Sequence, residues 1–97
     1  MEIALVQAEL SWEDNDNNLA HFSSILENVT GVDLFVLPEM FNSGFTMNSD
    51  NIGQTMQGKA VCWLQKMANE KGAVFVASLI IIENNKQYNR LVWATPN

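Results

Sequence analysis

With 97 residues, the chain has room for one small domain and not two. Its 5 Lys and Arg stand against 11 Asp and Glu, a formal charge of −6, which argues against nucleic acid or an anionic membrane surface as partner. A hydrophobic content of 47% excludes intrinsic disorder, and one cysteine (Cys62) with one histidine (His21) excludes a disulfide framework, a Cys-rich zinc site and a His-based triad.

The opening Met1-Glu2-Ile3-Ala4-Leu5-Val6 carries no basic leader, and no apolar stretch reaches about 20 residues, so the cytoplasm is the expected location. Residues 2–8 predict a first strand, near-continuously apolar and therefore expected to be covered. Asp14, Asn15 and Asp16 are candidate N-caps for a helix over residues 16–29. Leu19, Phe22, Ile25, Leu26 and Val29 form its apolar stripe, His21 borders it, and Gly31 is the expected stop. Asp33 to Leu37 is the second strand, ended by Pro38, which cannot donate to a ladder. The strand–helix–strand order fits a right-handed unit with parallel strands, whose C-terminal edge is the usual place for a ligand crevice.

Residues 38–57 predict a long irregular segment. Met40, Phe41, Phe45, Met47, Ile52 and Met56 make it too apolar for a solvated tether, so it should pack down. A second helix is expected from Gln57 or Gly58 to Lys71. Ala60, Leu64, Met67 and Ala68 form one face, Val61 and Trp63 flank it, and Gly72 closes it. Residues 73–82 predict a third strand, Asn84-Asn85 a tight turn, and residues 86–95 an antiparallel fourth strand. The third strand lacks clean alternation, which argues for burial on both faces. Two helices can cover only one face, so the sequence reads as a part that expects further layers.

Glu39 is the candidate for chemistry. A carboxylate at the mouth of a parallel sheet, beside Met40 and Phe41, is expected to be partly desolvated and therefore a usable proton acceptor. A carboxylate that caps a helix or fastens a loop would occupy the same place. The segment from Asn42 to Met47, with Gly44 as its flexible point, is either a packed loop or a substrate-facing wall. Met40, Phe41, Gly44 and Phe45 are the pocket candidates. Cys62 lies several positions into its helix without a basic partner, which marks it as structural. Asn89 and Arg90 interrupt an apolar strand and read as structural polar groups. A glycine-rich nucleotide turn is absent, since Gln7-Ala8-Glu9 follows the first strand.

The run Leu37-Pro38-Glu39-Met40-Phe41-Asn42-Ser43-Gly44-Phe45 resembles the first catalytic motif of the nitrilase, or carbon–nitrogen hydrolase, superfamily. Leu5-Val6-Gln7-Ala8, Gly58 with its helix, the stretch from Ala73 to Leu79 and Tyr88-Asn89-Arg90-Leu91 resemble its other segments. Trp12-Glu13-Asp14 and Gly44-Phe45-Thr46-Met47 are most similar to the omega-amidase branch. The resemblance covers essentially the whole chain. It implies an α/β fold that is the N-terminal part of a four-layer α-β-β-α sandwich, with residues 1–97 as the first segment of one domain that continues further. It implies a small-molecule amide substrate, no metal, no cofactor and a homo-oligomeric, dimeric whole protein. It also implies Glu39 as general base to a cysteine nucleophile, with a lysine stabilising the tetrahedral intermediate. Lys59, Lys66, Lys71, Lys86 and Cys62 do not match those two partners in position. A non-catalytic α/β interaction module and another amidase or nitrilase branch are the competing readings.

Overall fold

Three features of the sequence set the chain's layout: two amphipathic helices, one proline-terminated strand and one Asn-Asn turn. In a computed structural model describing residues 1–97 they give β1 (Ile3–Leu5), α1 (Asn15–Leu26), β2 (Leu34–Val36), α2 (Ser49–Ile52), α3 (Lys59–Lys71), β3 (Val74–Glu83) and β4 (Lys86–Ala94). The sheet order is β1-β2-β3-β4, with β1, β2 and β3 mutually parallel and β4 antiparallel to β3. The α/β architecture and the order of its elements are those expected, with the single turn of α2 added inside the loop.

Asp14 caps α1, its carboxylate accepting a hydrogen bond from the Asn17 amide at 3.2 Å. Leu19, Phe22 and Leu26 are buried along one narrow arc, whereas Ile25 falls at its border and is exposed. The helix stops three residues short of the expected Val29, and Gly31 is not its cap. Lys71, from the last turn of α3, ends it instead. Its ammonium donates to the carbonyls of Leu26 (2.6 Å), Val29 (3.0 Å) and Glu27 (3.3 Å). A cation at a helix C-terminus satisfies orphan carbonyls and opposes the negative end of the dipole, and α1 has no basic residue of its own there.

Gly58 N-caps α3 without a side-chain oxygen to offer, and Gln54 supplies one by accepting from the Ala60 amide at 2.9 Å. Gly72 closes α3 in the left-handed region, at φ 60°, as expected. Trp63 does not flank the buried face but belongs to it. Its ring packs against Phe22, Phe41 and Phe75 with centroids 5.8 to 6.3 Å apart, and its indole N–H donates to Ser23 Oγ at 2.8 Å. Asn84 and Asn85 both take positive φ, 52° and 63°, the geometry a two-residue hairpin needs.

β3 has ten residues and β2 only three, so the upper half of β3 would lack a neighbour on that side. Residues 38–57 fill the gap. The Met40 amide donates to Ser78 Oγ and the Phe41 amide to the Ser78 carbonyl. Gln54 donates to the Ile80 carbonyl and accepts from the Ile82 amide, forming a parallel bridge. The loop thus satisfies the edge of β3 and buries Met40 and Phe41, but Phe45 and Met47 remain exposed, against the expectation that its apolar residues all pack down.

The sheet has two unlike faces. Phe35, Phe75, Ala77, Leu79, Ile81, Val92 and Ala94 point into the core under α1 and α3. On the other face Ile3, Leu5, Leu91 and Trp93 are 55%, 76%, 66% and 60% exposed. β1 is therefore not the covered strand its composition suggested. It is an edge strand, and no layer lies over its outward side chains. Only the two-helix cover expected from the sequence is present.

Candidate active site

Glu39 sits where β2 gives way to the loop. The backbone on either side is fixed: the Leu37 amide donates to the Val76 carbonyl at 2.9 Å, and the Met40 amide donates to Ser78 Oγ at 3.1 Å. Met40 takes φ 49°, a left-handed conformation that reverses the chain after Glu39. That reversal sends the two neighbours in different directions. Phe41 is fully buried on the helix side against Phe22 and Trp63, so it is core and not a pocket wall. Glu39 is exposed on the opposite side of the sheet, and the burial expected from its apolar neighbours is not present.

Here Glu39 borders a hollow of about 380 Å³ on the bare sheet face, together with Val36, Val76, Ser78, Asn89 and Leu91. Asn89, opposite Ile80 in the β3–β4 register, donates through Nδ2 to Glu39 Oε1 at 3.5 Å. A second hollow of about 230 Å³ adjoins on the far side of Asn89 and is lined by Met40, Thr46, Met47, Ile80 and Tyr88. Of the expected pocket residues, only Met40 lines either hollow, and it lines the second one, beyond Asn89. Gly44 (φ 72°) is buried, and a Cβ there would meet Trp12 Cδ1 at 3.7 Å. Phe45 is exposed, and its carbonyl accepts from the Trp12 indole at 3.0 Å.

The loop beyond Glu39 is held from residues 11–18. Glu13 accepts from Thr46 Oγ1 (2.7 Å) and Asn48 Nδ2 (3.4 Å), while its amide donates to the Ser43 carbonyl (2.7 Å). Buried Asn18 donates to the carbonyls of Ser11 and Asn42. Nothing in the linear pattern announced the ties from Glu13 and Asn18 to the loop, which join residues 24 to 35 positions apart. Thr46 and Met47, from the segment read as either a packed loop or a wall, line the second hollow, whereas Tyr88 was missed there.

The other candidates lie elsewhere. Cys62 is exposed on α3, its thiol 3.5 Å from the Gln57 carbonyl, on the far side of the sheet from Glu39. Lys59 pairs with Asp16 and Lys66 with Glu70 in the helix layer. Arg90 forms a two-nitrogen pair with Glu83 (3.2 and 3.4 Å) and lies over the Tyr88 ring. The bonded guanidinium holds the Glu83 carboxyl below its ordinary range, chiefly through the hydrogen bond and then through charge. No three His, Cys, Asp or Glu side chains cluster to hold a metal, and no helix is long and apolar enough to cross a membrane.

Glu39 thus stands exposed at the rim of one hollow on the sheet face opposite the helices, and Cys62 lies across the sheet from it. The family model of carbon–nitrogen hydrolases matches residues 2–97. The chain belongs to that family. It is 35% identical over 96 residues to an omega-amidase of Escherichia coli K12, covering 99% of this chain and 37% of that protein. It is 30% identical to an omega-amidase of Yersinia enterocolitica, covering all of this chain and 38% of that one. The crystal structure of XC1258 from Xanthomonas campestris, a CN-hydrolase superfamily protein with an arsenic adduct in its active site, superposes with a TM-score of 0.92 at 36% identity. It covers 97% of this chain and 36% of that chain. The chain thus spans little more than a third of the length of these relatives, and the fold of the segment is that of their N-terminal part.

Proposed function

We propose that residues 1–97 are the first segment of a single carbon–nitrogen hydrolase domain that cleaves an amide, with Glu39 as its general base. The observation that carries this reading is the placement of Glu39. It stands at the C-terminal mouth of the parallel strands, on a rigid backbone, facing a hollow on an uncovered sheet face. Hydrolysis of an unactivated amide needs a nucleophile, a proton acceptor and an oxyanion stabiliser held together. Glu39 supplies the second. It takes the proton of a cysteine thiol as the sulfur attacks the amide carbon, and it returns that proton to the departing ammonia. Water, deprotonated by the same carboxylate, then hydrolyses the thioester. The resemblance assigns the thiol and the lysine to later parts of the domain, and Cys62 and the five basic residues of this segment take neither role.

The substrate we propose is the distal amide of a keto dicarboxylic acid monoamide. Its support is the similarity to two omega-amidases and the mixed lining of the hollow beyond Asn89, where Met40 and Met47 stand with Thr46, Ser49, Gln87 and Asn89. The test is Glu39→Gln in the full-length enzyme, assayed by ammonia release from such a monoamide. Loss of a general base lowers kcat by about 10²–10⁴-fold, whereas near-normal kcat contradicts the assignment. Amides of amino acids and simple aliphatic amides, run in parallel, separate the omega-amidase reading from other branches.

A further inference from the structure

We propose that Asn89 is a positioning residue that holds the Glu39 carboxylate in its working orientation. The inference rests on the general-base reading of Glu39 and adds a residue to it. Glu39 has a fixed backbone but three free side-chain torsions. Asn89 Nδ2, 3.5 Å from Oε1, is its one side-chain hydrogen-bond partner, and no cation pairs with it. The contact is long, as catalytic hydrogen bonds often are before substrate binds and tightens them.

Asn89 is well placed to orient a neighbour. It belongs to the β3–β4 ladder, which runs in unbroken register from Phe75↔Ala94 to Glu83↔Lys86, so its Cα is among the best-fixed points near Glu39. Its side chain stands at the wall shared by both hollows. Asparagine is disfavoured in strands, and this one makes no other side-chain hydrogen bond and is exposed, so it adds little to folding. An amide is also the right chemistry. It engages one carboxylate oxygen and leaves Oε2 free to accept a proton. A cation in its place would hold the carboxylate more strongly but would also weaken it as a base. Arg90, the next residue, points to the other face and is occupied by Glu83.

The test uses Asn89→Ala and Asn89→Asp in the full-length enzyme, with Glu39→Gln alongside. Misorientation of a reacting group by a fraction of an ångström to 1 Å lowers the rate by up to about 10²-fold, so Asn89→Ala is expected to lower kcat about tenfold, with KM changed less than about twofold. Asn89→Asp keeps the shape, replaces the donor by a repelling acceptor, and is expected to lower kcat further. It serves as the second variant should the alanine protein fold poorly. Wild-type kcat in both, or a raised KM with kcat unchanged, overturns the proposal, since Asn89 would then be inert or bind substrate directly. An active Glu39→Gln enzyme overturns the general-base reading and this inference with it. The contact is also read without catalysis: in the 97-residue chain, Glu39→Gln is expected to move the Asn89 side-chain amide resonances, and an unmoved pair contradicts the contact.

Discussion

The two faces of this sheet are built from the same strands and similarly apolar residues, yet only one is covered by helices, and on the other only Val76 and Ile80 of β3 are buried. On the helix side, Phe22, Phe35, Phe41, Leu64 and Phe75 are shut away from water. On the other side Ile3, Leu5, Leu91 and Trp93 stand in it, beside the carboxylate of Glu39. Folding free energy is concentrated on the first face. The second carries Glu39, the proposed general base, beside exposed apolar side chains. An exposed apolar face is unfavourable for an isolated domain and natural for part of a larger one.

The contrast can be broken most sharply from the covered side. Phe22→Ala removes a ring packed against Phe41 and Trp63 and should destabilise the chain by about 3–5 kcal/mol in a denaturant titration. That is enough to unfold a marginal domain. Lys71→Met should cost about 1–2 kcal/mol, because three carbonyls at the end of α1 lose a charged donor while the aliphatic stem is kept. Faster hydrogen exchange confined to the last turn of α1 would locate the effect. On the bare face, Leu91→Thr and Trp93→Thr should each change stability by no more than about 0.5 kcal/mol while reducing aggregation. A loss of several kcal/mol at Trp93 would mean that this face is already covered in solution, by self-association. The smallest effect belongs to the Glu83–Arg90 pair. Because the folded carboxyl titrates below its unfolded range, the pair stabilises the chain above that range, and the gain is lost as pH falls through the folded value. Glu83→Gln should therefore flatten the acid limb of the stability curve slightly, and salt should mask the difference.

Much of this was legible along the chain. The stripe of Leu19, Phe22 and Leu26, the Gly72 stop, the Asn84-Asn85 turn and the strand end at Pro38 are local signals, and each appears within a few residues of its expected place. The place of Glu39 at a strand's end was legible for the same reason, but the burial expected from the apolar pair after it was not borne out. The illegible features are long-range or conformational. Lys71 ends α1 from 45 residues away in sequence. Trp63 enters the core because Ser23 takes its N–H. Phe41 and Glu39 part company because Met40 adopts a positive φ that side-chain type does not announce. The approach of Asn89 to Glu39 exists only once a nine-residue ladder sets the register of β4.

The central claim is that the bare face with Glu39 is one part of an amide-cleaving site completed by the remainder of the family domain. The direct measurement is ammonia release from a keto dicarboxylic acid monoamide, by the 97-residue chain alone and by the same segment joined to that remainder. The account predicts turnover only for the joined protein, abolished by Glu39→Gln. Turnover by the 97 residues alone, lost on Cys62→Ser, would contradict it.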